Sequence, residues 1–271
     1  MTHMPNGTVR FEVGDGIATA TLDRPDSLNA MTDDLMDDVV SAVAAAEADL
    51  SVGVLILTGS GRAFCAGADL KEADIPGPDD GGSGGGDLPS MDAHFHPAIR
   101  ALYECRVPTV SRINGVTAGG GLGLALACDI SIAARSAFFV PTFGPLLGIV
   151  PDLGTTWQLS TRLGRARALG LAMLGDRLSA ADAADWGLIY AVVDDDALDA
   201  ETARVANVLK RSSSEAMTRI RSAIDVAPHH GLSEQLEVEG EHQRILIPMN
   251  MKEAAAAFLE KRPPEFGRRS S

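Results

Sequence analysis

One carboxylate stands alone in an apolar stretch of the sequence. In GPLLGIVPDLGTTWQL, residues 144–159, Asp152 is the single charged residue, and it directly follows Pro151. Its simplest interpretation is a helix N-cap, because an aspartate side chain accepts hydrogen bonds from the free N–H groups of a first helical turn. The alternative is a general base whose pKa is raised by burial. The apolar neighbours expected to bury it are Leu146, Leu147, Ile149, Val150 and Leu153.

Two glycine-rich turns are the other candidates for chemistry. GRAFCAGADL (61–70) follows the apolar run VGVLILTG, and GVTAGGGLG (115–123) follows TVSRI. Because glycine carries no side chain, each turn exposes backbone N–H groups at the end of an expected strand. The same glycines would also allow close packing of a strand on a helix. Considered alone, neither turn distinguishes between binding a ligand through its N–H groups and packing a strand closely on a helix.

Several other patterns do not predict a site. GGSGG (81–85) matches the nucleophile pattern G-x-S-x-G, but it lies in low-complexity glycine and not at a strand-to-helix turn. TAGGGLGLALACD (117–129) contains no G-x-G-x-x-G frame, and no Walker lysine follows a glycine cluster, so we expect no dinucleotide or P-loop site. Without cysteines or acid pairs at ligand spacing we expect no metal site, and surface positions for His94, His96, His229 and His230.

Composition limits the classes of partner. The chain has 271 residues and a formal net charge of −14, which argues against nucleic acid or an anionic membrane as the main partner. Cys65, Cys105 and Cys128 lack metal-ligand spacing and are expected to be free thiols in a reducing compartment. With neither a signal-peptide core near residue 1 nor a membrane-spanning apolar run, we expect a cytoplasmic protein.

The elements that must position these residues are those of an α/β protein. VRFEV (9–13) and IATATL (17–22), joined by Gly-Asp-Gly, predict a β-hairpin. An amphipathic helix begins after Thr32, with acidic residues in its first turn. VGVLILTG (52–59) is typical of a strand buried on both faces, and residues 109–115 and 129–134 fit the same role. A sheet covered by helices is therefore expected.

The sequence also predicts how the chain is divided. Residues 76–90, PGPDDGGSGGGDLPS, contain too little apolar surface to order themselves and are expected to form a mobile lid or rim loop, or else a linker between two domains. From about residue 160 strand signals nearly vanish and helical patterns follow one another. We therefore expect a core over residues 1–200 and a helical region over 201–271.

Taken together, the motifs resemble those of the crotonase family, the enoyl-CoA hydratase/isomerase superfamily. The motifs that carry this resemblance are LDRPDSLNAM, FCAGADLKE, NGVTAGGGLGLALACD, GIVPDLGTTWQL and LSAADAADWGLIYAVV. The resemblance runs through AAAAFLEKRPPEF and so covers nearly the whole chain. It implies an α/β spiral of ββα repeats, a C-terminal helical region that builds homotrimers or dimers of trimers, and an acyl-coenzyme A thioester as substrate.

The resemblance also implies roles for individual residues. Backbone N–H groups of Ala68 and Gly120 would bind the thioester oxygen, and such fixed donors stabilise the negative charge that develops there when a proton leaves the neighbouring carbon. The CoA portion of the substrate would contact Arg24, Ala66, Asp69, Leu70, Phe258 and Lys261. No cofactor or metal is expected, because coenzyme A is part of the substrate.

The chain departs from the hydratases of this family at two positions. Hydratases hold a water between two glutamates, and the matching positions here are Gly123 and Gly144. A glycine cannot move a proton, and losing acid–base help commonly costs about 10² to 10⁴ in rate per group. Asp152 instead matches an aspartate used by other branches, and the surrounding stretch most resembles the ring-epoxide isomerase branch of phenylacetate degradation.

The sequence therefore predicts a CoA-thioester isomerase with Asp152 as the proton-transfer base, acting on an enoyl double bond or a ring epoxide. A hydratase that uses Asp152 in place of the glutamates remains an alternative, as does a non-catalytic acyl-CoA binding protein. In dehalogenase or hydrolase chemistry, Asp152 would instead attack covalently. Candidate aromatic residues for an acyl pocket, each equally compatible with core packing, are Tyr103, Phe139, Phe143 and Trp157.

Overall fold

The fold was analysed in a computed structural model, which describes residues 2–71 and 90–266. Eleven strands and eight helices are present within these residues. The strands are β1 (Thr2–His3), β2 (Val9–Gly14), β3 (Ile17–Leu22), β4 (Val54–Gly59), β5 (Ala63–Cys65), β6 (Thr109–Ile113), β7 (Val116–Ala118), β8 (Ile130–Ala134), β9 (Phe138–Val140), β10 (Leu178–Ser179) and β11 (Ala191–Val193). The helices are α1 (Asp33–Ala48), α2 (His96–Glu104), α3 (Gly121–Leu126), α4 (Thr155–Leu174), α5 (Ala180–Asp185), α6 (Leu198–Leu209), α7 (Ser214–Val226) and α8 (Leu232–Glu260).

The strands form two sheets built from repeats of strand, strand and helix. One sheet has the order β1-β2-β3-β4-β6-β8-β11, and the other has the order β10-β9-β7-β5. The first strands of the repeats, β4, β6 and β8, are parallel neighbours in the large sheet. The second strands, β5, β7 and β9, are parallel neighbours in the small sheet. Helices α2, α3 and α4 follow the three strand pairs, so the predicted α/β spiral of ββα repeats is confirmed.

The elements near the N-terminus form for the reasons predicted. Strands β2 and β3 pair antiparallel, and the turn between them places Asp15 and Gly16 at positive φ, as a tight hairpin turn requires. Helix α1 begins after Thr32, whose side chain accepts a hydrogen bond from the N–H of Leu35. Asp38 on this helix is fully buried and accepts three hydrogen bonds of 2.7–2.8 Å from the chain before the hairpin.

The core lies between the sheets and the helices that cover them. All six residues of β4 are buried, as predicted for a strand covered on both faces. Helix α6 packs against the large sheet, whereas α7 and α8 pack against each other. The three cysteines are buried and free, and burial raises the pKa of the Cys65 thiol to about 12 and that of the Cys105 thiol to about 11.

Three further expectations concern the glycine-rich loop, membrane spans and the division of the chain. The predicted loop at 76–90 lies outside the described residues except for Ser90, where a helical turn leading into α2 begins. In the part of the chain that the structure describes, no helix combines the length and the apolar character needed to cross a bilayer. The predicted division into a core and a region over 201–271 stays a prediction.

Candidate active site

The two glycine-rich turns of the sequence meet in the structure. Gly67 has a φ of +93° and Gly119 a φ of +50°. A β-carbon added to Gly67 would lie 3.0 Å from the carbonyl oxygen of Ala118, and one added to Gly119 would lie 3.7 Å from the Cα of Gly67. A side chain at Gly67 would therefore be strained and too close to the second turn, whereas the distance at Gly119 is an ordinary contact. The approach brings the following residues, Ala68 and Gly120, to one place.

Their backbone N–H groups are free to bind a ligand. Gly119, one residue earlier, donates its N–H to the carbonyl of Val140 at 2.9 Å, which fixes the second turn. Neither the N–H of Ala68 nor that of Gly120 donates to an acceptor within residues 2–71 and 90–266. A pair of free N–H donors on rigid backbone is what an oxyanion hole requires. The resemblance in sequence predicted this pair.

The first turn is held by the chain that precedes α1. Met31 donates its N–H to the carbonyl of Gly67 at 2.8 Å, and its own carbonyl accepts the N–H of Asp69 at 2.9 Å. These two bonds bracket Ala68 and leave its N–H unused. Buried Asn29, at a φ of +57°, donates side-chain hydrogen bonds of 2.9 Å to the carbonyls of Ser60 and Ala63. The Ala68 N–H is therefore positioned by hydrogen bonds on both sides.

Asp152 lies beside the second turn. A β-carbon built on Gly120 would be only 3.3 Å from Oδ1 of Asp152. The side chain is not a helix cap, because α4 begins at Thr155 with Gly154 as its N-cap and without a side-chain capping bond. The backbone carbonyl of Asp152, and not its carboxylate, accepts the N–H of Thr155 at 2.8 Å. The N-cap interpretation is therefore wrong, and the carboxylate is available for another role.

The environment of Asp152 raises its pKa. Burial is the largest cause, partly opposed by a hydrogen bond from its own backbone N–H and by the charge of His96. Its Oδ1 is buried and has no hydrogen-bond partner among the described residues. The neighbours that bury it differ from those predicted, because Leu146, Leu147, Ile149 and Val150 are exposed and only Leu153 is buried. Leu146, Leu147 and Ile149 nevertheless line the same cavity as Asp152, so the exposed apolar side chains face the space in front of its carboxylate.

A cavity of about 670 Å³ opens in front of these groups. The residues predicted to act or to bind substrate that line it are Ala66, Ala68, Asp69, Leu70, Gly120 and Asp152. Of the four candidate aromatic residues only Phe143 belongs to the lining, together with Leu146, Leu147 and Ile149. An apolar chamber with a few polar groups at one end is typical of a small-molecule site. Among the described residues no group of three or more His, Cys, Asp or Glu side chains is arranged to hold a metal.

Three predicted CoA contacts lie outside the cavity lining. Arg24 forms a 3.0 Å salt bridge with Asp69, which itself lines the cavity, so Arg24 lies one side chain away from it. Phe258 is 83% exposed near the end of α8, and Lys261 follows that helix in a left-handed conformation. Neither residue lines the cavity within this chain. Their contact with CoA stays a prediction.

The sequence reasoning missed part of the cavity wall. Residues 31–34, which lead into α1 and include its first two residues, line the cavity, as do Met91 and Phe95 in the turn before α2. The motif LDRPDSLNAM ends at Met31, but nothing in the motif indicated that Met31 lines the cavity. No local signal identified Phe95, because its place depends on how the turn packs against α1.

This arrangement suits proton transfer next to a carbonyl group. Two N–H donors can hold an oxygen on which negative charge develops, and the carboxylate of Asp152, whose pKa is raised, lies 3.3 Å from where a β-carbon on Gly120 would be. The glutamate positions of hydratases do not supply a second acid. Gly144 is outside the cavity lining, and a β-carbon on it would lie 2.8 Å from the carbonyl of Ala172 in α4. Asp152 and the two N–H groups are therefore brought together at one end of the cavity, whose lining also includes the carboxylates of Asp33, Asp34 and Asp69.

Comparisons with known proteins find relatives that match nearly the whole chain. A profile of the family described as enoyl-CoA hydratase/isomerase matches residues 12–269. The chain is 40% identical over 256 residues to the 1,2-epoxyphenylacetyl-CoA isomerase of Escherichia coli (strain K12), covering 93% of this chain and 95% of that protein. It is 36% identical to a probable enoyl-CoA hydratase of Rhodobacter capsulatus, covering 96% and 97%. A crystal structure of an enoyl-CoA hydratase from Bacillus anthracis matches with a TM-score of 0.86 at 28% identity, covering 96% and 98%.

Proposed function

Because the chain belongs to the enoyl-CoA hydratase/isomerase family, we propose that it is an isomerase of CoA thioesters. In this proposal Asp152 is the proton-transfer base, and the N–H groups of Ala68 and Gly120 bind the thioester oxygen. The observation that carries the proposal is the position of Asp152 Oδ1, which is buried, unpartnered among the described residues and 3.3 Å from where a Gly120 side chain would begin.

The proposed reaction is a proton shift. Asp152 removes a proton from the carbon next to the thioester, and the electron pair moves onto the thioester oxygen to give an enolate. The two N–H groups hold that oxygen, and one such donor is worth roughly 3–4 kcal/mol in a water-poor site. Asp152 then returns the proton to a carbon further along the acyl chain, so the double bond migrates and the carboxylate is regenerated. One base suffices because the enolate stays bound between the two steps.

Two substrates fit this scheme. One is a 3-enoyl-CoA, converted to the 2-enoyl isomer by the proton shift. The other is a CoA thioester with a ring epoxide, in which the same proton shift would be coupled to the breaking of a bond of the epoxide ring, so that the product is an isomer with no atom gained or lost. The name of the Escherichia coli relative, 1,2-epoxyphenylacetyl-CoA isomerase, supports this class. Phe143 and the apolar side chains that line the cavity suit an acyl group of either kind.

Hydration is the second candidate, because several relatives are named as hydratases. A hydratase of this kind would need Asp152 both to activate water and to supply the proton. Gly123 and Gly144 argue against the two-glutamate route, since neither position carries an acid. A CoA-thioester binder without activity is the third candidate, and it would bind the ester with no turnover.

The experiment is product analysis in deuterated water. The protein is incubated separately with 3-enoyl-CoA, 2-enoyl-CoA and a ring-epoxide CoA thioester. Double-bond migration or epoxide isomerisation supports the proposal, a 3-hydroxyacyl product from the 2-enoyl ester favours hydration, and unchanged esters favour a binder.

Asp152→Asn tests the role of the base. Loss of a general base costs about 10² to 10⁴ in rate, while the affinity for the thioester is expected to change little. The matched control is Asp196→Asn, which alters an exposed aspartate away from the cavity and should leave the rate unchanged. If Asp152→Asn keeps most of the activity, Asp152 is not the base.

The proposal extends to assembly and location. Helices α7 and α8 carry exposed apolar side chains on surfaces that this chain alone does not cover, including Ile220, Ile224, Leu236, Ile245, Phe258 and Leu259. Apolar area of this kind favours association of several copies. We expect a homotrimer or a dimer of trimers in the cytoplasm, and light scattering after size-exclusion chromatography measures the mass of the assembly.

A further inference from the structure

Two glycines on one face of α3 contact the turn that carries Asp152. Gly120 and Gly123 are three residues apart and therefore share a helix face. A β-carbon on Gly120 would lie 2.8 Å from Cδ1 of Leu153. A β-carbon on Gly123 would lie 2.5 Å from the carbonyl oxygen of Leu153 and 2.7 Å from its Cβ. Leu153 therefore packs directly against the backbone at Gly120 and Gly123, where any side chain would collide with it.

The turn itself has little freedom to move. Leu153 is 2% exposed and has a φ of +51°, a conformation that residues with a β-carbon rarely adopt. Gly154 follows at a φ of +74°, and the Asp152 carbonyl accepts the Thr155 N–H to close the turn. Since the nearest atom to a side chain at position 123 is a backbone oxygen, no change of side-chain rotamer can make room for it.

We propose that Gly123 is a positioning residue, whose missing side chain seats the turn at residues 152–154 and so places the Asp152 carboxylate 3.3 Å from where a β-carbon on Gly120 would lie. Gly123 does not line the cavity, so it acts through Leu153 and not on the substrate. This inference rests on the proposed function of Asp152.

The inference also concerns specificity. The space that a glutamate side chain at position 123 would enter first is filled by the backbone of Leu153. An acid at 123 and Asp152 in its present place therefore exclude each other in this chain. Gly123 thus selects proton transfer by a single aspartate over activation of water by an acid at position 123.

The test compares Gly123→Ala and Gly123→Glu with the unchanged protein. We expect Gly123→Ala to lower kcat for isomerisation by about 10²-fold, because a shift of about 1 Å in a reacting group costs that much. The dissociation constant for the thioester should change less than about twofold, since binding groups stay in place. Gly123→Glu should lose isomerisation without gaining hydration of 2-enoyl-CoA.

The pH profile separates positioning from simple loss of structure. Burial raises the pKa of Asp152, so a displaced and wetter carboxylate should move the acid limb of kcat/KM to lower pH. The control is Gly170→Ala in α4, where an added β-carbon meets no atom within 4 Å. It should keep the rate and the pH profile of the unchanged protein.

A second variant covers the case in which Gly123→Ala does not fold. Gly154→Ala perturbs the same turn from its exposed side, because it places a side chain at a φ of +74° where an added β-carbon meets no atom within 4 Å. We expect it to fold and to lower kcat with thioester affinity nearly unchanged, because the turn that holds Asp152 shifts. Full kcat in folded Gly123→Ala or in Gly154→Ala, or isomerisation together with hydration in Gly123→Glu, would overturn the inference. If Asp152→Asn stays active as well, the proposed function fails; if only the Gly123 variants stay active, the positioning role alone fails.

Discussion

Asp152→Asn should make the folded protein more stable while it removes activity. The carboxylate Oδ1 is buried without a partner among the described residues, and burial raises its pKa. Leaving a buried polar group unsatisfied costs about 1–3 kcal/mol. Asparagine has the same shape but no charge, and its amide still needs partners, so we expect a gain in unfolding free energy near the lower end of that range, about 1 kcal/mol.

The pH dependence of this gain follows from the direction of the pKa shift. A carboxyl group whose pKa is higher in the folded state than in the unfolded state binds more protons when folded. The protein therefore loses stability as pH rises from the ordinary pKa of aspartate, about 3.9, through the raised folded pKa. Asparagine does not titrate, so the difference between the two proteins should be largest at neutral and alkaline pH and should shrink as pH falls.

The assay is denaturant unfolding of both proteins at several pH values and at one fixed protomer concentration, because assembly makes apparent stability depend on concentration. Thermal melting gives a second measure, since about 1 kcal/mol shifts the Tm of a chain of this size by roughly 2–4 °C. An asparagine variant that is less stable at neutral pH would refute the reasoning, because it would mean that the carboxylate forms a stabilising bond in the folded protein.

Three further predictions concern the surroundings of the site. Gly67→Ala places a side chain at a φ of +93° and should displace the Ala68 N–H, lowering kcat by about 10² to 10³ with thioester affinity, measured by titration, nearly unchanged. Asp38→Asn weakens a buried acceptor of three hydrogen bonds and should lower the unfolding free energy by about 1.5–3 kcal/mol in denaturant titrations. The hydrogen bond to Asp37 raises the pKa of His94, so this interaction stabilises the fold below the usual histidine pKa of about 6.5 and is lost as pH rises through the raised value. His94→Gln should therefore cost more stability in unfolding curves at about pH 6 than at about pH 9, with a small difference because solvent screens the pair.

Much of the fold follows from local patterns. The Gly-Asp-Gly turn predicts the hairpin of β2 and β3, and the Thr32 cap predicts the start of α1, because turn and capping preferences act over a few residues. The unbroken apolar run of β4 predicts a strand covered on both faces. The short strands β10 and β11 carry no such pattern, because two or three residues owe their conformation to the neighbouring strands.

Less of the site than of the fold could be predicted from the sequence. By itself the sequence determined that two glycine turns and one isolated acid exist, and its resemblance to a family assigned them roles. It could not show whether Asp152 caps α4 or how far each apolar neighbour is buried, since only Leu153 of the five is itself buried. Only the tertiary structure decided this, because the burial of Asp152 depends on contacts between α3 and the turn at 152–154, about thirty residues apart in the chain. Such contacts follow from the packing of elements, which local sequence preferences do not encode.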